Sequence, residues 1–164
     1  MFGFTNNRRN QPRAPVQLKA HVTWPGADVE TQLLLISEGG CFIALKPPPP
    51  KDARLKVSFD IPGKGPHSAE VEVRYVAELG DFRGKRDITG VGCRFTVVSA
   101  TTKQAIKDLI AQVKRSYSQI QFALAITKPN PQLPVMLEKA YLKGYREGRE
   151  LRDAIQWGLK QMGA

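Results

Sequence analysis

The sequence of 164 residues contains no apolar run approaching the roughly 20 residues of a membrane-spanning helix, so no helical span is expected. Its first residues, from Met1 to Arg9, lack the basic-then-apolar order of a secretory signal, and their polar character points to a cytoplasmic protein. Cysteine and histidine are scarce, with two of each. A structural zinc site takes about four ligands, and His21 and His67 stand at no metal-like spacing from Cys41 and Cys93, so no metal is expected. Both cysteines lie in apolar, strand-like runs, which suits buried reduced thiols better than a disulfide. The chain also lacks a convincing acid/base pair, its histidines are isolated, and no phosphate-loop glycine pattern occurs. A non-enzymatic protein with no resident cofactor is expected.

What is present is ordinary globular material, 41% hydrophobic and 24% charged, in the size range of one domain with an appendage. Bases outnumber acids by 25 to 15, for a net charge of +10. Such a surface attracts anions: nucleotides, nucleic acid, anionic lipid or an acidic protein. Arg8, Arg9, Arg13 and Lys19 form an acid-free cluster near the start. A solvated tail would look the same, and charge alone does not choose.

Residues 1–14 follow neither a helical nor a strand period and carry Pro12, with Pro15 just beyond, which describes a mobile, arginine-bearing arm. From position 15 the pattern alternates: Val16, Leu18, Ala20 and Val22 against polar neighbours, then Val29 to Ile36, then Cys41 to Leu45 after the break Ser37-Glu38-Gly39-Gly40. Pro47 to Pro50 excludes sheet pairing. Leu55, Val57, Phe59 and Ile61 alternate again, as do Ala69, Val71, Val73, Tyr75 and Ala77, and a basic hairpin tip at 80–87 precedes a last strand from Thr89 to Val98. Six short antiparallel strands at this spacing favour a closed barrel, which leaves no exposed edge. After Ser99 the spacing turns helical through Ala105, Ile106, Leu109, Ile110 and Val113, and this helix is expected across one mouth of the barrel. The expected organisation is an all-β barrel with C-terminal α-helices: arm 1–14, barrel and helix 15–121, linker 122–132, helical extension 133–164. In the extension, Leu137, Tyr141, Gly144, Gly148, Leu151, Ile155 and Met162 fall on one side of a single second helix, and Ala140, Gly144 and Gly148 add a row of small residues that permits close backbone approach. Such a face either docks on the chain's own barrel or joins two copies.

Three segments together resemble a known family: Arg8-Arg9-Asn10-Gln11-Pro12-Arg13, Ile36-Ser37-Glu38-Gly39-Gly40, and Gly90-Val91-Gly92-Cys93-Arg94-Phe95. Their order resembles that of the PilZ domain family of cyclic diguanylate (cyclic di-GMP) receptors. The resemblance covers about residues 8 to 118. It implies a six-stranded antiparallel barrel with a C-terminal helix, an Arg-x-x-x-Arg segment matched by Arg9 and Arg13, and an Asp/Asn-x-Ser-x-x-Gly turn matched by Ser37 and Gly40. The implied ligand is cyclic di-GMP, held by Arg8, Arg9, Arg13, Ser37, Gly39 and Gly40, with a protein partner, or self-association through the C-terminal helix, as output. The chemistry fits: an arginine fork spans guanine O6 and N7, and a glycine turn lets phosphate approach backbone N–H groups. One position departs from the pattern, because Leu35 stands where the turn of the family begins with Asp or Asn. Leucine offers a guanine edge no hydrogen bond, which leaves a second reading: an adaptor that has lost the nucleotide and works through protein contacts alone. Nucleic acid is not expected, since a strand-binding groove interleaves bases with exposed aromatics, whereas Phe42, Phe59, Tyr75 and Phe95 occupy alternating core positions.

Overall fold

The computed structural model describes residues 11–80, 87–126, 130–145 and 148–163. Six strands come first, β1 (Ala14–Trp24), β2 (Ala27–Ile36), β3 (Gly40–Ala44), β4 (Arg54–Ile61), β5 (Gly65–Gly80) and β6 (Asp87–Val97). Three helices follow, α1 (Ala100–Ala125), α2 (Leu133–Lys139) and α3 (Arg149–Gln161). All strand pairs are antiparallel, and the order β1-β2-β3-β6-β5-β4 closes through a β1–β4 seam that sets Ala20 opposite Phe59 and Val22 opposite Val57. Alternation explains why these segments are strands. Val16, Leu18, Ala20 and Val22 of β1 and Leu55, Val57, Phe59 and Ile61 of β4 turn inward and are buried, while the residues between them face out.

The chain leaves β6 at Ser99, whose side chain accepts a hydrogen bond from Thr102 N at 3.0 Å and caps α1. Ala105, Ile106, Leu109, Ile110 and Val113 form the buried face of α1, which continues through Tyr117 and Ile120. Two ion pairs show how the helix lies. Lys107 Nζ reaches Glu38 Oε1 (3.7 Å) in the β2–β3 turn, and Asp108 Oδ2 meets Lys64 Nζ (3.3 Å) in the β4–β5 turn. In the ring of strands those two turns stand opposite one another at one end, so α1 crosses the mouth between them, as its spacing implies. Gln104 and then Lys64 hydrogen-bond the Asp108 carboxyl and hold it below the ordinary carboxylate value.

The extension differs from the single helix that its periodicity suggests. It is broken between α2 and α3, where Tyr141, Gly144 and Gly148 take positive φ values of 61, 94 and 106°. Glycine adopts that conformation at no steric cost and gains little from staying helical, so Gly144 and Gly148 interrupt the helix rather than line a packing face. The residue that does permit close approach is Gly158, where an added Cβ would overlap the ring of Tyr117. Leu151, Ala154, Ile155, Leu159 and Met162 are buried in the same apolar cluster as the barrel and α1. Each large side chain so buried is worth about 1.5–3 kcal/mol, and the stripe is consumed inside the molecule. No helix among the described residues is long and apolar enough to cross a membrane.

Candidate functional site

A cleft of about 220 Å³ opens on the outer wall of the barrel, bounded by the arm, the β2–β3 turn and the faces of β5 and β6. From the arm come Gln11 and Arg13. The Arg13 side chain is half-buried, and its backbone N–H donates to Gln161 O at the end of α3 (2.8 Å). Arg8 and Arg9 lie outside the described residues.

The turn contributes Leu35, Ser37, Gly39 and Gly40. Ser37 is buried, its N–H donates to Gly40 O (2.8 Å), and its Oγ accepts from Gly40 N (3.1 Å). The hydroxyl therefore builds the turn before it can serve anything else. Gly39 O accepts from Phe95 N (2.9 Å), which ties the turn to β6, and a Cβ on Gly39 would overlap Gln11 of the arm. Arm and turn are thus in contact. Glu38 points to Lys107 of α1 and is absent from the cleft lining. Leu35 opposes Phe42 across β2–β3, is 8% exposed, and lines the cleft with an apolar surface.

On the third side, Gly92 and Arg94 belong to the third of the resembling segments but were not expected to hold ligand, and Arg74 and Tyr75 were not marked as a site at all. Arg74, Tyr75, Gly92 and Arg94 line it. Tyr75, expected in the core, is 44% exposed instead. The cause is a register shift between Val73 and Tyr75: Val73 opposes Cys93 and Tyr75 already opposes Gly92, so the intervening residue is accommodated as a bulge and the inward-outward phase flips. Beyond the bulge the Tyr75 ring lies over Gly92, where a Cβ would overlap it. The two arginines converge on one carboxylate, Arg94 Nη2 at 3.1 Å and Arg74 Nη1 at 3.8 Å from Glu72 Oε1. Glu72 is 16% exposed and the arginines 56% and 54%. The acid ties the two guanidinium groups together, and both arginines remain about half exposed beside the cleft they line. Arg13, Arg74 and Arg94 all reach the lining and no acidic residue does, so the local field favours anions.

Cys41 and Cys93 face one another across β3–β6 as buried free thiols. The Cys93 thiol, acting first through a hydrogen bond, and then burial push the Cys41 thiol well above its ordinary value. Among the described residues no three His, Cys, Asp or Glu side chains gather as a metal site would require.

Six antiparallel strands closed into a barrel, with a helix across one mouth and a cationic cleft on the outer wall beside a Ser-x-x-Gly turn, define a compact β-barrel module with an open anion-attracting face. The chain belongs to the PilZ domain family, whose sequence profile matches residues 7–112. That match includes the arm arginines and the turn and ends within α1. No curated protein matches the chain in sequence. Among solved structures, the PilZ domain of YcgR from Escherichia coli with c-di-GMP is 20% identical with a TM-score of 0.54, over 68% of this chain and 95% of that one. The inhibitor of motility MotI/DgrA from Bacillus subtilis is 20% identical with a TM-score of 0.54, over 64% and 51%. A K. pneumonia MrkH–c-di-GMP complex is 17% identical with a TM-score of 0.54, over 68% and 53%. The chain therefore spans about half of the latter two proteins, and at these identities the likeness is one of fold.

Proposed function

We propose that this protein is a non-catalytic cytoplasmic receptor for cyclic di-GMP that converts nucleotide binding into altered protein contacts. The observation that carries the reading is the convergence of Arg13 of the arm, the Ser37–Gly40 turn and a wall bearing Arg74 and Arg94 on one cleft with no acid in its lining. The family supports it, as do the structurally similar YcgR PilZ domain and MrkH, both solved with c-di-GMP. In this reading Arg9 and Arg13 engage the O6 and N7 edges of the stacked guanines, and Arg8 adds charge. Ser37, Gly39 and Gly40 present hydroxyl and backbone groups to a phosphate. Tyr75 offers its exposed face to a base, a contact worth about 1–3 kcal/mol in other nucleic-acid sites. A cleft of about 220 Å³ is smaller than the roughly 300–1,000 Å³ of most small-molecule clefts and cavities. In this reading the dinucleotide therefore extends beyond the cleft onto the open barrel wall. Residues 1–14 act as the arm, 15–121 as the receptor barrel with its helix, 122–132 as the linker, whose first residues 122–125 continue α1, and 133–164 as an added helical layer.

Calorimetric titration with cyclic di-GMP tests this directly. Saturable heat is expected from the unsubstituted chain. In Arg13→Ala the affinity is expected to fall at least tenfold, since a hydrogen bond to a charged group contributes about 1.5–3 kcal/mol. Folded protein that gives no heat at high ligand concentration would sink the reading and leave the second one, an adaptor without nucleotide, which the apolar Leu35 at the cleft wall favours.

A further inference from the structure

Residues 113–164 lie beyond the family match, yet the end of α3 reaches the arm beside the cleft. The arm enters β1 at Ala14, which is fully buried, and one residue earlier the Arg13 N–H donates to Gln161 O at 2.8 Å. The last carbonyls of a helix have no partner within it, so this bond satisfies an end group of α3 and the arm backbone together. It also sets where Arg13 leaves the barrel wall. The helix is itself held at the same end: Gly158 receives the Tyr117 ring of α1, Leu159 is 8% exposed and Met162 1% exposed. A continuous chain of contacts thus runs from α1 through α3 to the backbone of an arginine that lines the cleft.

We infer that α3 is part of the nucleotide site, with Gln161 as a positioning residue whose carbonyl presets Arg13, so that docking of α3 and occupancy of the cleft are linked. The inference rests on the cyclic di-GMP reading above. It gives the helical layer a role in binding, because with the Arg13 backbone already fixed, less ordering remains to oppose the ligand. Linkage is reciprocal, so bound nucleotide must hold α3 in place by the same factor that α3 lends to binding. A partner that pulled α3 away would release the nucleotide, and nucleotide would resist that partner.

The test is a double-mutant cycle on the full chain with cyclic di-GMP, joined to hydrogen exchange on the unsubstituted protein. Gly158→Ala places a methyl group against Tyr117, shifts α3 and touches no cleft residue. It is expected to weaken cyclic di-GMP about tenfold, within the usual 5- to 150-fold range of coupling. The calorimetric stoichiometry reports the folded fraction separately, so a merely structural loss lowers stoichiometry and leaves Kd unchanged. In an Arg13→Ala background the same substitution is expected to cost little more, because neighbouring residues that act through one another are non-additive. In the unsubstituted protein, saturating nucleotide is expected to slow amide exchange at 151–159. Full additivity in the cycle, an unchanged Kd in Gly158→Ala, or unaltered exchange in α3 would each overturn the inference while leaving the receptor reading intact. No heat from the unsubstituted chain would overturn both. Should Gly158→Ala fail to fold, the exchange measurement decides alone.

Discussion

Position 35 is where this chain parts from the pattern it otherwise resembles, and the structure shows what the leucine does there. It packs opposite Phe42, 8% exposed, and gives the cleft an apolar wall below the turn. Replacing it with aspartate exchanges packing for polarity. Leu35→Asp is expected to tighten cyclic di-GMP tenfold to a hundredfold, the equivalent of one recovered polar contact of about 1–3 kcal/mol. Its melting temperature is expected to fall, because a nearly buried aliphatic side chain is lost. Calorimetry and thermal melts on the same preparation read both effects. Weaker binding in the variant would mean that the ligand makes no polar contact at this position. Binding seen only in the variant would show that the natural chain works without nucleotide. Tyr75 gives the complementary lesson: its place in an alternating run implied burial, and a bulge one residue earlier turned it into the cleft.

Among the elements, α1 joins the parts. Its inner face covers the barrel mouth over the first half and receives α3 over the second, with Tyr117 as the contact that locks Gly158. Burial, reinforced by the neighbouring Tyr145, raises the Tyr117 phenol above its ordinary value of 10. A raised phenol keeps its proton in the fold while the unfolded chain loses it. The associated stability is therefore complete below pH 10 and drains away as pH climbs above it, by up to about 1.4 kcal/mol per pH unit. Cys41 acts in the same direction from its ordinary value of 9.0. Melting temperatures recorded from pH 7 to 11 are expected to be level at first and then to fall beyond about 9. Tyr117→Phe should flatten the part above 10, and an unchanged profile would show that the phenol is solvated. The strands and α1 were legible in the sequence because periods of two and 3.6 state which side faces the core. Helix continuity in the extension was not, because Leu137, Leu151 and Ile155 keep a helical spacing across Gly144 and Gly148, and spacing does not reveal a backbone at positive φ. For the site, the arm and turn were readable as a motif. The Arg74–Glu72–Arg94 wall was not, since it arises from cross-strand pairing that a linear pattern does not display.

At the scale of the whole molecule, the excess of positive charge, +10 in all, makes the affinity for a doubly charged dinucleotide depend on ionic strength. Between 0.1 and 1 M salt the screening length shrinks from about 10 to about 3 Å. Cyclic di-GMP affinity is expected to drop about tenfold over that range, most of it in a slower association, as stopped-flow and equilibrium titrations at both salts would show. A salt-independent Kd would assign recognition to stacking and hydrogen bonds alone. The β1–β4 seam carries a consequence of a different kind. The first strand must wait for the fourth before the ring can shut, since Ala20 pairs with Phe59 and everything between them has to be traversed. Non-local pairing of this sort costs loop entropy before any contact offsets it. The β3–β6 seam, with Cys41 opposite Cys93, spans still more chain, so slow folding is expected for a module of this size, and α1 has a rim to cross only where both seams have met.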